Sequence, residues 1–259
     1  SVTGVQTCAL PIYQFAQWPS LKHGVFTRKG GLSSPPWASL NLGGNVGDSP
    51  EAVRHNHDRI YQTLQLNAAR VCTVWQVHSA DVILAIRPAL NRRWLGLADG
   101  LVTNQLDMPL VMRFADCTPL LFFDPVQGVI GIAHAGWRGT VTGVGANTVR
   151  TMVTAYGCLP QNIQAGIGPS IGPQAYQVGE EVVAAVSSYF GTLDGLIIRS
   201  SLDGTAYLDL WAANKLDLQR VGVEQIEVAS ICTAQNTDEF FSHRAEKGRT
   251  GRFGAVLSL

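Results

Sequence analysis

Two clusters in this chain carry residue types that do chemistry, and each follows a short apolar run. Phe114-Ala115-Asp116-Cys117-Thr118-Pro119 follows Leu110-Val111-Met112, and Ala133-His134-Ala135-Gly136-Trp137-Arg138-Gly139 follows Val129-Ile130-Gly131-Ile132. A third cluster, Gln76-Val77-His78-Ser79-Ala80-Asp81, ends the stretch 71–77. If these runs are strands, two histidines and one cysteine arrive at three strand ends. A thiol and imidazoles brought together offer a metal site or a nucleophile–base pair. As zinc ligands, His78, Cys117 and His134 would leave a fourth position open to water or substrate. The spacing is not that of a zinc finger, and a buried free cysteine beside hydrogen-bonded core histidines is a third reading. The residues alone leave all three open.

Trp137-Arg138-Gly139-Thr140 falls at a strand-to-helix junction. Free N–H groups there favour an anion, and Arg138 would add a bidentate clamp; the alternative is an exposed arginine at a helix start. Arg244 in Ser242-His243-Arg244 faces the same cleft or belongs to a solvated basic loop. Asp99-Gly100 reads more naturally as a turn than as an acid at the site mouth. His23, His55 and His57 have no evident partner, and two residues apart on a helix His55 and His57 face different directions.

The elements that must position these residues alternate irregularly. Ser49 as N-cap and Pro50 at the first helical position start a helix that runs to about residue 66. Strands are expected at 71–77, 82–86, 100–103, 110–114, 120–123 and 129–133, the fifth cut short by Pro119. Helices are expected at 140–156, 180–189 and 209–221, and further strands at 162–167, 196–199, 226–229 and 254–259. About six strands in a row without a helix favour a mixed α/β (α+β) architecture over a doubly wound parallel sheet. Two packed sheets with helices outside would satisfy it.

The 259 residues are 46% hydrophobic, enough for a large core, and no linker divides them. Nineteen basic and 19 acidic residues balance, so neither a nucleic-acid groove nor a membrane-binding surface is indicated. No apolar run reaches the roughly 18 residues of a spanning helix. Residues 1–12 lack the basic start of a signal peptide and read as an extraneous or disordered segment, with a single domain over 13–259. Five cysteines without a C-x-x-C pair argue for a reducing cytoplasm.

Seven ordered motifs carry a resemblance. They are Thr27-Arg28-Lys29-Gly30-Gly31-Leu32-Ser33, Ser39-Leu40-Asn41-Leu42-Gly43, Gln76-Val77-His78, Ala115-Asp116-Cys117, His134 to Gly139, Gly168-Pro169-Ser170-Ile171-Gly172 and Phe240-Phe241-Ser242-His243-Arg244. Together they resemble the YfiH family, also called laccase-domain, multicopper polyphenol oxidase, purine nucleoside phosphorylase and peptidoglycan editing factor. The resemblance implies a four-layer α/β/β/α sandwich and zinc, or copper, on His78, Cys117 and His134. It implies phosphorolysis of adenosine, inosine, guanosine and methylthioadenosine, with adenosine deamination as a side activity. Arg138 would then be catalytic, and Asn41, Arg59 and Arg244 would contact nucleoside or phosphate. A laccase-like polyphenol oxidase and a cysteine-type amidohydrolase editing peptidoglycan precursors are the alternatives. A multicopper centre needs a large further set of histidines, and only His23, His55, His57 and His243 remain. The family's Asn-Arg-x-Arg is Asn56-His57-Asp58-Arg59 here, with His57 in place of the first arginine.

Overall fold

The computed structural model describes residues 12–19, 21–89 and 93–259. In chain order the elements are β1 (Ile12–Tyr13), β2 (Lys22–Phe26), α1 (Pro50–Thr63), β3 (Val82–Leu84), β4 (Gly100–Thr103), β5 (Leu110–Phe114), β6 (Thr118–Asp124), β7 (Val129–Ala135), α2 (Trp137–Val141), α3 (Val144–Tyr156), β8 (Gln164–Ile167), β9 (Gln177–Val178), α4 (Glu180–Phe190), β10 (Ile197–Arg199), β11 (Ala206–Leu208), α5 (Leu210–Arg220), β12 (Gln225–Val228) and β13 (Phe253–Ser258). They form an antiparallel sheet β1-β2-β13-β5 and a mixed six-stranded sheet β12-β8-β6-β7-β4-β3. A small sheet β10-β11-β9 packs with α4 as a side lobe.

Strand periodicity explains the layering. Side chains alternate between faces, so Leu110, Met112 and Phe114 of β5 meet Leu121, Ile130 and Ile132 of the other sheet in the central core. The opposite face of the first sheet, with Val111 and Val256, packs on Ile60 and Tyr61 of α1. The opposite face of the second, with Leu120, Phe122 and Ala133, packs on Val149 and Met152 of α3 and Leu218 of α5. The order is therefore α/β/β/α. Central strands buried on both faces read as unbroken apolar runs, as Leu120-Leu121-Phe122-Phe123 does.

Several expected boundaries change. Residues 71–77 are not a strand: Cys72 bridges to Leu110 of the first sheet, while Trp75 bridges to Leu97 on the way into the second. The segment spans two sheets and keeps no continuous ladder with either. Pro119 does not end its strand but lies inside β6, paired with His134. Its carbonyl accepts from Gly168 N, beyond the last β8 pairing, where no ladder N–H is missed. The helix expected over 140–156 is two helices, because Gly143 at φ 76° breaks it. Of the segment 1–12, Ile12 pairs with Phe26 and so belongs to the sheet; residues 1–11 lie outside the described residues. Ser49 caps α1 as expected, accepting from Ala52 N at 3.3 Å.

Candidate metal centre and active-site cleft

The chain crosses from the first sheet to the second at Ala115-Asp116-Cys117, between β5 and β6. Asp116 makes the turn at φ 80°, a conformation costing of order 1–3 kcal/mol in a non-glycine residue. Its buried carboxylate offsets that by accepting from Thr233 Oγ1 at 2.7 Å and from Arg244 N at 2.6 Å. Cys117 is thereby held beside His134, near the end of β7. His78 sits in the irregular segment at φ 61°. Its neighbours Val77 and Ser79 donate their N–H groups to Asp99 Oδ2 at 3.0 and 2.7 Å.

Asp99 is wholly buried, not a surface turn. Its Oδ1 accepts from His134 Nδ1 at 2.8 Å, which leaves Nε2 of His134 to face the cluster. A carboxylate on the far nitrogen of a ligating histidine fixes its tautomer and raises its basicity. The ligand atoms of His78, Cys117 and His134 all lie within 4.8 Å of one another. Gly136 keeps the space between them clear, since a Cβ there would stand 2.8 Å from Cys117 Sγ and 3.3 Å from His78 Cδ2.

Electrostatics favour the ligand form of the thiol. Burial pushes Cys117 up, but the His134 charge and hydrogen bonds from His134 and His78 more than offset it, and the thiol falls to about 6. Burial pushes His134 down, yet the Cys117 charge and the Asp99 hydrogen bond raise it to about 9. Two imidazoles and a thiolate are a donor set suited to zinc or copper, so the three side chains fit one such ion.

The cluster opens into a cleft of about 720 Å³, within the range of small-molecule sites. Part of the lining is aromatic and apolar: Trp75 and Trp94 meet edge-on with centroids 4.4 Å apart, and Tyr176, Ile171 and Leu210 also line the cleft. Arg113, Arg244 and Arg252 form a cationic wall. The sequence-assigned residues divide. Arg244 lines the cleft, with its guanidinium 5.2 Å from the Tyr176 ring centre. Arg138 is exposed, stacked on Trp137, and outside the cleft lining. Arg59 also lies outside it and donates to the Gly30 carbonyl. Asn41 is fully buried behind the wall, its Oδ1 accepting from Gly43 N and Arg252 N. His57 reaches the Leu42 carbonyl at 3.1 Å and does not line the cleft.

Residues 22–259 match the family described as multi-copper polyphenol oxidoreductase laccase. YfiH of Escherichia coli, a purine nucleoside phosphorylase by name, is 37% identical over 251 residues, covering 94% of this chain and 97% of that one. The chain belongs to the YfiH family. A purine nucleoside phosphorylase of Deinococcus radiodurans is 38% identical over 240 residues, covering 93% and 90%. The crystal structure of YfiH from Bacillus licheniformis superposes with a TM-score of 0.92 at 32% identity, covering 97% of each chain. Against the laccase description stands the ligand count. Among the described residues, His78, Cys117 and His134 are the one group arranged to hold a metal, and the other histidines are scattered. No described helix is long and apolar enough to cross a membrane.

In this YfiH-family chain, sequence reasoning set Asp99 aside as a turn and missed the cleft-lining Arg113, Arg252 and Trp75. Asp99 is disguised by the following Gly100. Arg113 had a signal: it is the lone charge in the otherwise apolar strand Leu110-Val111-Met112-Arg113-Phe114. Arg252 directly precedes β13, next to Gly251, and gave none.

Proposed function

We propose that this protein is a metal-dependent purine nucleoside phosphorylase acting on adenosine, inosine, guanosine and methylthioadenosine, with adenosine deamination as a side activity. The observation that carries the reading is the His78–Cys117–His134 cluster opening into a cleft lined by both aromatic side chains and arginines. The names of its relatives support the phosphorylase part of this reading. His78, Cys117 and His134 would hold zinc, or copper; such an ion supplies Lewis acidity and lowers the pKa of a coordinated water. Trp75, Trp94 and Tyr176 offer stacking surface to a purine. In phosphorolysis a phosphate oxygen bonds to ribose C1′ while the C1′–N9 bond breaks, and its electron pair stays on the purine. The proton of hydrogen phosphate ends on the purine, giving free base and ribose 1-phosphate.

The test is incubation with adenosine, with and without phosphate. Adenine and ribose 1-phosphate should appear only with phosphate, whereas inosine should form in both. Adenine released equally without phosphate would make the enzyme a hydrolase.

One feature favours a second reading. Asp99, His134 and Cys117 are ordered as acid, imidazole and thiolate, the arrangement of a cysteine hydrolase, which would suit an amide of a cell-wall precursor. Chelation separates the two: it should stop phosphorolysis, but should release the thiolate for hydrolysis.

A further inference from the structure

We infer that Arg113 and Arg252 form a subsite for a tetrahedral oxyanion, occupied by the inorganic phosphate co-substrate. The inference rests on the phosphorylase reading and deepens it.

Both side chains line the cleft that holds the metal cluster. Burial pushes both guanidinium groups below their ordinary range, and Arg252 is close enough for its charge to depress Arg113 further, with Tyr61 acting the other way. Guanidinium does not deprotonate in proteins, so two like charges stand together, each half-buried in the cleft wall. Among the described residues neither has a carboxylate partner. Arg113 donates from Nη2 to the Val74 carbonyl at 2.8 Å and from Nε to Gln76 Oε1 at 3.3 Å. Arg252 donates from Nη1 to the carbonyls of Thr250 and Gly251. The remaining N–H groups, Nη1 of Arg113 and Nε and Nη2 of Arg252, have no protein acceptor among the described residues. Asp116 is the one carboxylate lining the cleft, and its oxygens are already engaged by Thr233 and by Arg244 N. Like charges held together in a half-buried cleft are destabilising, and the Cys117 and Asp116 charges offset the burial of Arg252 only in part. An oxyanion accepting bidentate bonds resolves that cost.

The surroundings hold the pair in place. Asn41 Oδ1 accepts from Arg252 N at 2.8 Å, and Leu42 N donates to the Arg252 carbonyl. Gly43 lies flat on the arginine stem, where a Cβ would meet Arg252 Cγ at 2.8 Å. Asn41 is thus a positioning residue. Gln76 braces the backbone of Arg113 through Nε2 to its carbonyl at 2.7 Å, and belongs to the segment that carries His78. The anion subsite and the metal cluster therefore share a support.

The experiment uses the metal-loaded full chain and its Arg113→Met, Arg252→Met and Arg252→Lys variants, with Arg138→Ala as comparison. Each Met variant should raise the phosphate KM by about 10–100-fold, the worth of one charge-assisted contact. Metal content and adenosine KM should change far less, and Arg252→Lys should recover part of the loss. Inorganic phosphate should raise the melting temperature of the wild-type protein and not of the Met variants, a readout that needs no turnover. Phosphate KM unchanged in both Met variants while wild type phosphorolyses would overturn the subsite and leave the phosphorylase reading standing. Arginine-dependent phosphate binding in a protein that turns over no nucleoside would do the reverse. If adenosine 5′-monophosphate binds at least 10-fold more tightly than adenosine, and only while Arg252 is present, the occupant is a nucleotide phosphate and the co-substrate assignment fails. Should the Met variants not fold, the Lys variant and phosphate titration of wild type decide.

Discussion

Two histidines in this fold are equally buried and electrostatically opposite. His134 is 4% exposed and His23 is 1% exposed. His134 lies between Asp99 and Cys117 and is raised to about 9, its neighbours' charges outweighing burial. His23 lies on β2 against Phe15 and Trp18 and meets only backbone: Nε2 accepts from Phe15 N at 2.8 Å, and Nδ1 contacts the Leu21 carbonyl at 2.9 Å. Burial pushes it down, and the Leu21 carbonyl and Glu227 recover only part. Burial therefore does not mark a histidine as functional; the company of a carboxylate and a thiol does.

The largest effect should come from removing that company. In Cys117→Ala, metal affinity should fall by more than about 100-fold and nucleoside turnover should vanish. In the metal-free variant, His134 should lose most of its upward shift and titrate nearer to its ordinary 6.5, as NMR of the ring protons would show. A value still near 9 would mean that Asp99 alone sustains the shift.

Next is Asp99→Asn, which keeps the shape but removes the charge. Metal affinity, read by competition with a coloured chelator, should drop by about 10–100-fold. The same substitution should loosen the segment around His78, whose N–H groups Asp99 now accepts. Wild-type affinity in this variant would reduce Asp99 to a packing role.

A third test reads the thiol. With metal bound, Cys117 should resist alkylation; after chelation it should react, and should stay reactive as pH falls to about 6. Its folded pKa is lowered, so the thiolate persists above that point and is lost below it. A reactivity midpoint near 9, or equal rates with and without chelator, would break the contrast with an ordinary buried thiol. Cys158 provides that contrast within the chain, burial and then Asp124 raising it to about 12.

The smallest effect is at His23. Its folded pKa is depressed below 6.5, so its contribution to stability is present above that pH and lost as pH falls through the folded value. His23→Gln cannot take up the proton. The melting temperature of the wild type should therefore fall by a few degrees relative to that of the variant on acidification below pH 6.5, whichever starts higher. A constant difference between pH 7 and 5 would show that His23 does not titrate on unfolding.

How much of this was legible in the amino-acid order depends on the range of the interaction involved. Strands buried on both faces announce themselves as apolar runs, and the residue types of His78, Cys117 and His134 leave a metal site, a nucleophile pair or a plain core cluster. Ser49-Pro50 announces its helix because a cap is a contact three residues long. Tertiary structure alone decided what those residues meet. Asp99 reaches His134 across 35 positions, Asp116 reaches Arg244 across 128, and Asn41 reaches Arg252 across 211. No local pattern encodes such pairs, because each depends on where two sheets turn the chain. Arg138, chosen on its helix start, stands outside the cleft, while Arg113, hidden in an apolar strand, faces into it. Sequence supplies the donor atoms and the periodicity that buries them; only the packing of two sheets decides which donors are left facing one another.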